Sequence, residues 1–223
     1  GKRWTTYFRL YSEKIALFDM DNTLLEGSFL EHLAQFSDRT EELNGILGNH
    51  QMNPVQRTKI IARIISGIPK SVFEKIARSI PLRPGAQETI GDLKKRGYHV
   101  GIITDSYYIV AEIVRRRVFA DFSIAHTLNF NKNTSSGDIT LSPFMTNKGG
   151  CSIHPICKSN FIVNLEKALP GKRFFFITTG DGENDICLFK KANLSFSTNT
   201  INPAVINASN FNIKNLIDLT SHL

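Results

Sequence analysis

The stretch that decides the fold is Ile15-Ala16-Leu17-Phe18-Asp19-Met20-Asp21-Asn22-Thr23, in which an apolar run ends directly at two aspartates. A second apolar run, Phe174-Phe175-Phe176-Ile177, precedes the acidic segment Gly180-Asp181-Gly182-Glu183-Asn184-Asp185. Short apolar runs of this kind predict strands that are buried on both faces of a parallel sheet. Open α/β sheets build their ligand sites at the carboxyl ends of such strands. We therefore predict that carboxylates gather there and carry out metal and phosphate chemistry.

Strands alternate with helices along most of the chain, which predicts an α/β fold with a doubly wound, right-handed parallel sheet. Residues 28–82 lack this alternation and show only helical patterns. We predict a Rossmann-like core of residues 1–27 and 83–223, with a helical cap of residues 28–82 inserted after the first strand. The predicted helices are 28–37, 39–47, 53–66, 70–79, 85–96, 107–119, 158–168 and 184–191, and the later strands are 98–104, 122–125, 173–179 and 194–197. Residues 131–138 predict the turn of a β-hairpin.

The composition is that of an ordinary globular protein, with 41% hydrophobic and 21% charged residues among 223. No apolar run approaches the roughly 20 residues that span a bilayer, and Gly1-Lys2-Arg3-Trp4 lacks the apolar core of a secretory signal. An odd, sparse set of three cysteines fits a reducing compartment, so we expect a cytoplasmic protein without a membrane partner. Because the sequence begins with Gly instead of Met, we expect the natural protein to be longer.

The net charge of +7 raises the question of nucleic-acid binding. The basic residues stand in short, scattered groups such as Lys94-Lys95-Arg96 and Arg115-Arg116-Arg117, each in or beside a predicted helix. Solvated helix faces explain such groups better than a nucleic-acid interface, which we do not expect. A mild positive field also attracts a small phosphorylated anion.

The pair Asp19 and Asp21 suits a two-step phosphate hydrolysis. Side chains two residues apart in an extended chain share a face, so both carboxylates can address one substrate. One can attack phosphorus as a nucleophile while the other donates and later accepts a proton. Strand ends and helix caps also favour Asp, Asn and Thr for purely structural reasons, so this pair alone leaves both interpretations open.

The order of further motifs decides between them. The series Phe18-Asp19-Met20-Asp21-Asn22-Thr23-Leu24, Ile103-Thr104, Lys158 and Gly180–Asp185 resembles the four ordered motifs of the haloacid dehalogenase (HAD) superfamily. It is most similar to the phosphoserine phosphatase branch, over nearly the whole chain. The resemblance implies an HAD-type fold and a Mg²⁺-dependent phosphatase that acts on a small phosphorylated metabolite.

Carried over position by position, the resemblance implies that Asp19 is the nucleophile and Asp21 the general acid and base. Thr104 would hydrogen-bond the transferring phosphoryl group, and Lys158 would neutralise charge on that group and on Asp19. Asp21 would contribute its backbone carbonyl to Mg²⁺, and Asp185 would act through the water shell of the metal. The implied metal set is Asp19, Asp21, Asp181 and Asp185. The predicted substrate-binding set is Thr23, Ser28, Arg57, Arg63, Asp105, Ser106 and Asn184.

The substrate-binding positions depart from the phosphoserine phosphatase pattern. Ser28 stands where that branch has a Glu, and Ile61 where it has an Arg, although Arg57 and Arg63 lie within a helical turn. For Asp105 we favour capping of the following helix over substrate contact. These departures predict a small phosphomonoester other than phosphoserine.

Cys151, His154 and Cys157 stand close together just before Lys158. Cysteine and histidine are the usual zinc ligands, but the spacing is unusual and no fourth ligand stands nearby in the sequence. We therefore favour buried or idle thiols over a metal site, and we expect Cys187 to lie in the core.

Two other functions remain open at the level of the sequence. One is a phosphotransferase that passes the phosphoryl group from Asp19 to an alcohol. The other is a non-catalytic module of a longer protein that binds a phosphorylated metabolite. A purely binding module has no need for both Asp19 and Asp21, which favours the enzyme. The sequence does not predict an oligomeric state.

Overall fold

The structure, a computed structural model, describes residues 13–49, 51–146 and 150–223. The prediction that the first residues are not a secretory signal lies outside this part of the chain. None of the helices in the described residues combines the length and the apolar character that crossing a bilayer requires.

One sheet of seven strands forms the centre of the described chain, in the order β4-β3-β2-β1-β5-β6-β7. Its strands are β1 Glu13–Phe18, β2 Tyr98–Tyr107, β3 Phe122–Asn131, β4 Thr134–Thr140, β5 Phe174–Gly180, β6 Leu194–Thr198 and β7 Phe211–Ile213. All neighbouring strands run parallel except β3 and β4, which form the predicted hairpin. The first strand of the described chain thus lies in the middle, between β2 and β5, and the predicted fold class is confirmed.

Helices surround the sheet and fill the insert. Between β1 and β2 lie α1 Phe29–Phe36, α2 Thr40–Leu47, α3 Pro54–Ile64 and α4 Lys70–Ser79, followed by α5 Ala86–Lys95. The later helices are α6 Tyr108–Val118, α7 Pro143–Thr146, α8 Ser159–Ala168, α9 Ile186–Lys191 and α10 Pro203–Ala208, with 3-10 turns at Glu183–Asp185 and Leu216–His222. The predicted helix 53–66 corresponds to α3, and Asn53 caps it, because its side chain accepts a hydrogen bond from the amide of Val55 at 2.9 Å.

The two faces of the sheet pack against separate apolar clusters. Along β1, Ala16 and Phe18 belong to the larger cluster, whereas Ile15 and Leu17 belong to the smaller one. This alternation follows from the two-residue period of a strand. It explains why β1 is apolar throughout: both of its faces are covered.

The larger cluster continues without a break from the sheet into the insert. Phe29 of α1 and Phe73 of α4 lie 6.0 Å apart between ring centroids, and each packs against Tyr107 of β2. Phe73 also contacts Phe130 of the hairpin, with 5.5 Å between centroids. These shared aromatic contacts hold the helical insert over the carboxyl end of the sheet.

The hairpin is tighter than predicted. Instead of an eight-residue turn, only Lys132 and Asn133 separate β3 from β4, and Lys132 takes the left-handed conformation with φ of 54°. The prediction was wrong because Thr134 and Ser135 pair with β3 despite their polar character. The insert secures this strand, since the amide of Gly67 donates to the carbonyl of Ser135 at 2.8 Å.

Candidate active site

Asp19 leaves the central strand at the carboxyl edge of the sheet. Its amide donates to the carbonyl of Thr179 on β5 at 2.9 Å, so its position is fixed by the ladder between β1 and β5. The chain then turns sharply, with Asn22 in the left-handed conformation at φ of 57°. The amides of Leu24 and Leu25 both donate to the carbonyl of Met20. The side chain of Asp19 is buried within this turn.

Lys158 connects two of the predicted carboxylates. Its ammonium donates to Oδ1 of Asp19 at 2.6 Å and to Oδ1 of Asp185 at 2.8 Å, and only 1% of the residue is exposed. Burial alone would lower the pKa of Lys158, but the charges of Asp185 and Asp19 outweigh it and hold that pKa well above its ordinary value. The lysine therefore stays charged between the two carboxylates.

Asp185 is fully buried and accepts hydrogen bonds through both of its oxygens. Oδ2 accepts from the amides of Asp181 at 3.1 Å and Gly182 at 3.2 Å, while Oδ1 accepts from Lys158. The backbone of Gly180 lies so close that a Cβ there would come within 2.2 Å of Oδ2. Burial raises the pKa of Asp185 to about 6. Glycine at position 180 thus allows the carboxylate to reach its partners.

The carboxylates form a site that fits a divalent cation. One oxygen from each of Asp19, Asp181 and Asp185 lies within 4.8 Å of the others. Burial raises the pKa of Asp19 to about 7 although Lys158 opposes it, and burial raises the pKa of Asp181 as well. Three acidic groups share one lysine, so a hard cation with a preference for oxygen ligands would relieve their repulsion.

Asp21 takes a position that the sequence did not predict. Its Oδ1 accepts a hydrogen bond from the amide of Phe29 at 2.7 Å, so this carboxylate caps α1, the first helix of the insert. Ser28 occupies the N-cap position itself, but its side chain makes no capping bond. Burial raises the pKa of Asp21 to about 7, although the bond from Phe29 lowers it. Asp21 therefore holds a proton more readily than an ordinary aspartate does.

The loop after β1 has further support. The Thr23 hydroxyl donates to Oδ1 of Asp181 at 3.2 Å, which joins the two acidic segments. The sequence does not single out Arg83, because no motif marks it and it only follows the predicted insert. Its Nη1 donates to the carbonyl of Thr23 at 3.2 Å and to the hydroxyl of Thr198 at 3.1 Å. Arg83 thereby fastens the Asp19–Thr23 loop to β6.

The segment after Ile103 differs in part from the prediction. Thr104 is buried, and its Oγ1 accepts from the amide of Ser106 at 3.1 Å. Asp105 does not cap the following helix, because α6 begins at Tyr108 and Tyr107 stands at its N-cap. The Asp105 carboxylate instead accepts from Nδ2 of Asn184 at 2.8 Å. This bond ties the carboxyl-terminal part of β2 to the 3-10 turn after β5, and the capping prediction was wrong.

The remaining predicted substrate contacts lie on α3 of the insert. Ile61 is buried in the larger apolar cluster, while Arg57 is half-buried and Arg63 exposed on the same helix. The substrate-binding role of both arginines stays a prediction.

The cysteine cluster contains a fourth member. Cys187, at the start of α9, is partly exposed and lies with Cys151, His154 and Cys157, so the prediction that it belongs to the core was wrong. The sequence could not show this because Cys187 comes 30 residues after Cys157 and meets it only in the folded chain.

The doubly wound sheet and the lysine-bridged carboxylates at its carboxyl edge define an α/β enzyme of the phosphoryl-transfer class. Residues 14–210 match the family described as Putative Phosphatase. Because that match covers most of the chain, the chain belongs to this family of phosphoric monoester hydrolases, and the predicted HAD-type, phosphoserine phosphatase-like relationship is confirmed.

Individual proteins show the same relationship. The chain is 28% identical over 188 residues to the phosphoserine phosphatase of Methanocaldococcus jannaschii, a match that covers 83% of this chain and 85% of that protein. It is 23% identical over 202 residues to phosphoserine phosphatase SerB2 of Mycobacterium tuberculosis, but spans only 46% of that longer protein. A solved structure of phosphoserine phosphatase as a phospho-aspartyl intermediate analogue superposes with a TM-score of 0.78 at 24% identity, covering 95% of this chain and 99% of that chain. The last comparison supports the fold.

Proposed function

We propose that this protein is a Mg²⁺-dependent phosphatase that hydrolyses a small phosphomonoester through a phospho-aspartyl intermediate on Asp19. The observation that carries the proposal is the contact of 2.6 Å between Asp19 and the buried ammonium of Lys158 at the end of the central strand. A carboxylate held in this way is a fixed nucleophile with a cation beside it. Phosphoryl transfer depends mostly on such positioning and charge stabilisation.

The two aspartates of the first segment divide the work. An oxygen of Asp19 attacks phosphorus while Asp21 donates a proton to the leaving oxygen, and Asp21 later takes a proton from the water that hydrolyses the acyl phosphate. The bond from Phe29 occupies one oxygen of Asp21 and leaves the other for proton transfer. The pKa of about 7 for Asp21 suits a group that must both give and take a proton near neutral pH.

Asp19, Asp181 and the backbone carbonyl of Asp21 would hold Mg²⁺, and Asp185 would orient the water shell of the metal. Bound there, the ion would neutralise charge on the phosphoryl oxygens and on the attacking carboxylate. Lys158 stabilises the same charge from the protein side, and the buried hydroxyl of Thr104 is available to the phosphoryl group at the end of β2.

The helical insert is the proposed cap, with residues 28–82 as its bounds and residues 1–27 and 83–223 as the core. A cap over the carboxyl edge would exclude water and select the leaving group. Buried Ile61 offers no charge to a substrate carboxylate and Ser28 none to an ammonium, which supports a phosphomonoester other than phosphoserine. The predicted substrate contacts Thr23, Ser28, Arg57, Arg63, Asp105, Ser106 and Asn184 belong to this proposal. A cytoplasmic site of action and the absence of a nucleic-acid partner also belong to it.

The test is phosphate release from a panel of phosphorylated metabolites that includes phosphoserine, with protein freed of loosely bound cations and then supplied with Mg²⁺. We expect release that requires Mg²⁺ and that Asp19→Asn abolishes without loss of the folded state. Asp92→Asn is the matched control, because Asp92 only forms a surface ion pair with Arg96 and such pairs contribute little. Normal turnover by Asp19→Asn would overturn the mechanism. Phosphate transfer to added alcohols in place of release would identify a phosphotransferase.

A further inference from the structure

The chain holds a second cluster of metal-ligand side chains outside the acidic site. All three cysteines take part, together with one histidine, and their ligand atoms all lie within 4.8 Å of one another: Cys151, His154, Cys157 and Cys187. Three of them come from the loop before α8, and the fourth from the first turn of α9. We propose that this cluster is a structural Zn²⁺ site.

The spacing of the ligand atoms matches a tetrahedral ion. With Zn–S of about 2.3 Å and Zn–N of about 2.0 Å, sulfur and nitrogen ligands of one tetrahedral Zn²⁺ lie about 3.5 Å apart. In the structure, Nδ1 of His154 lies 3.3 Å from Sγ of Cys151 and 3.5 Å from Sγ of Cys187. A cation at the centre would therefore need little movement of these side chains.

Contacts that involve no metal hold the loop in this shape. The amide of Cys151 donates to Oδ1 of Asn160 at 2.8 Å, and the amide of Cys157 donates to the carbonyl of Met145 at 2.9 Å. Asn160 is buried, and its Nδ2 also donates to the carbonyl of Met145 at 2.8 Å. Its side chain thus connects Cys151 with the same carbonyl that anchors Cys157. The ligands are thus oriented by the fold before any ion binds.

The thiols also have the polar neighbours that metal-bound sulfur requires. The amide of His154 donates to Sγ of Cys151 at 3.4 Å, and the hydroxyl of Ser159 lies 3.1 Å from Sγ of Cys157. Such outer contacts stabilise a thiolate and fix its direction.

The ligand set identifies the metal. Three sulfurs and one imidazole nitrogen form the Cys₃His set of closed structural zinc sites. An iron–sulfur cluster usually takes four thiolates, and Mg²⁺ and Ca²⁺ take oxygen ligands. Because the protein supplies all four ligands, no position is left for a substrate or an activated water.

The site lies where it can fix the geometry of the acidic centre. Cys157 directly precedes Lys158, and Cys187 follows Asp185 by two residues. The ion would therefore clamp together the two segments that meet in the 2.8 Å contact between Lys158 and Asp185. Its ligands are positioning residues, since they act on the reaction only through these neighbours.

The decisive experiment measures the metal in the full chain, purified without chelators, by mass spectrometry of the elements. We expect about one Zn²⁺ per chain. Cys187→Ser and His154→Ala should each bind Zn²⁺ at least about 100-fold more weakly, because loss of a residue that only hydrogen-bonds a ligand already lowers metal affinity about 10–100-fold. His99→Ala is the control, since that exposed histidine lies on β2 beside Glu13. Asp181→Asn should keep its zinc, which separates this site from the acidic one. Replacement by Co²⁺ should give the intense visible absorption of a tetrahedral thiolate site.

Three outcomes would overturn the proposal: a chain that binds no zinc even when Zn²⁺ is supplied during refolding, zinc that Cys187→Ser retains in full, or a disulfide within the cluster of the isolated protein. Zinc content is independent of turnover, so this result and the phosphatase result can fail separately. Removal of the ion should also lower the unfolding temperature of the wild type but not that of Cys187→Ser.

Discussion

Replacement of Gly180 by alanine should damage the active site through a single methyl group. The new Cβ would lie 2.2 Å from Oδ2 and 2.3 Å from Cγ of Asp185, whereas contacts under 3.0 Å essentially do not occur, so the carboxylate must withdraw by at least 0.8 Å (3.0 minus 2.2). That carboxylate is fully buried and accepts hydrogen bonds from the amides of Asp181 at 3.1 Å and Gly182 at 3.2 Å and from the ammonium of Lys158 at 2.8 Å. Overpacking and weakened bonds to a charged group together should cost about 2–4 kcal/mol.

Denaturant unfolding measures this cost, and a thermal scan should show a midpoint lower by about 4–16 °C for a chain of this size. Steady-state hydrolysis of the best substrate should show kcat lower by about 100-fold, because a displacement near 1 Å in a catalytic group has that effect. Gly91→Ala is the matched control: Gly91 lies within α5, and its new Cβ would meet nothing within 4 Å. That variant should gain about 0.5–1 kcal/mol through helix propensity.

Wild-type stability and kcat in Gly180→Ala would refute the argument, since the close approach of Gly180 to Asp185 would then have no energetic meaning. If Gly180→Ala were less stable but had an unchanged kcat, the reaction would not depend on the position of Asp185.

Two further predictions concern charge. In Lys158→Met, the loss of the cation between Asp19 and Asp185 should lower kcat by about 100- to 1000-fold, while Lys94→Met, which removes an exposed ion pair with Asp121, should leave kcat unchanged. For Asp21, burial raises the pKa from 3.8 to about 7, so the proton needed by the leaving group is lost as pH rises through about 7, and kcat for an alkyl phosphate should fall there. Asp21→Asn should lose that pH dependence, and its loss of activity should be smaller with p-nitrophenyl phosphate, whose leaving group needs little protonation.

Asp21→Asn should also change how the free energy of unfolding depends on pH, in a direction that follows from the raised pKa. Between 3.8 and about 7 the folded state of the metal-free protein binds more protons at Asp21 than the unfolded state does. Its stability therefore falls as pH rises through that range, and Asp21→Asn should remove this contribution. If Asp21→Asn showed the same dependence of kcat and of stability on pH as the wild type, both the raised pKa of Asp21 and its role in proton transfer would be contradicted. For Lys158→Met, a kcat within a factor of about 3 of the wild-type value would contradict the role of this lysine in stabilising charge during the reaction.

The fold was predictable where the local pattern and the tertiary environment agree. β1 and β5 are buried on both faces, so their residues are apolar without interruption and the strands stand out in the sequence. Helix α4 occupies 70–79 as predicted, because its apolar side chains recur at helical spacing. The hairpin was misjudged in length because Thr134 and Ser135 belong to an edge strand, whose pairing depends on its neighbour more than on its composition.

The site was predictable only in part. The sequence order of Asp19, Lys158, Asp181 and Asp185 indicated that they meet, and in the structure they do. The capping of α1 by Asp21 could not be predicted, because the sequence around this carboxylate does not indicate from which amide it accepts a hydrogen bond. The contacts of Arg83, of Asp105 with Asn184 and of Cys187 with His154 join residues far apart in the chain, and no local pattern encodes them.

The central place of β1 has a consequence for the synthesis of the chain. β1 ends at Phe18, but its neighbour β5 begins only at Phe174, so residues 19–173, 155 in all, lie between them. At about 5–20 residues per second, a ribosome takes about 8–30 s to supply that partner. During this time one edge of an apolar strand stays open to other chains. The nascent protein is therefore most prone to aggregate before β5 has emerged, and a chaperone that shields β1 would act in that interval.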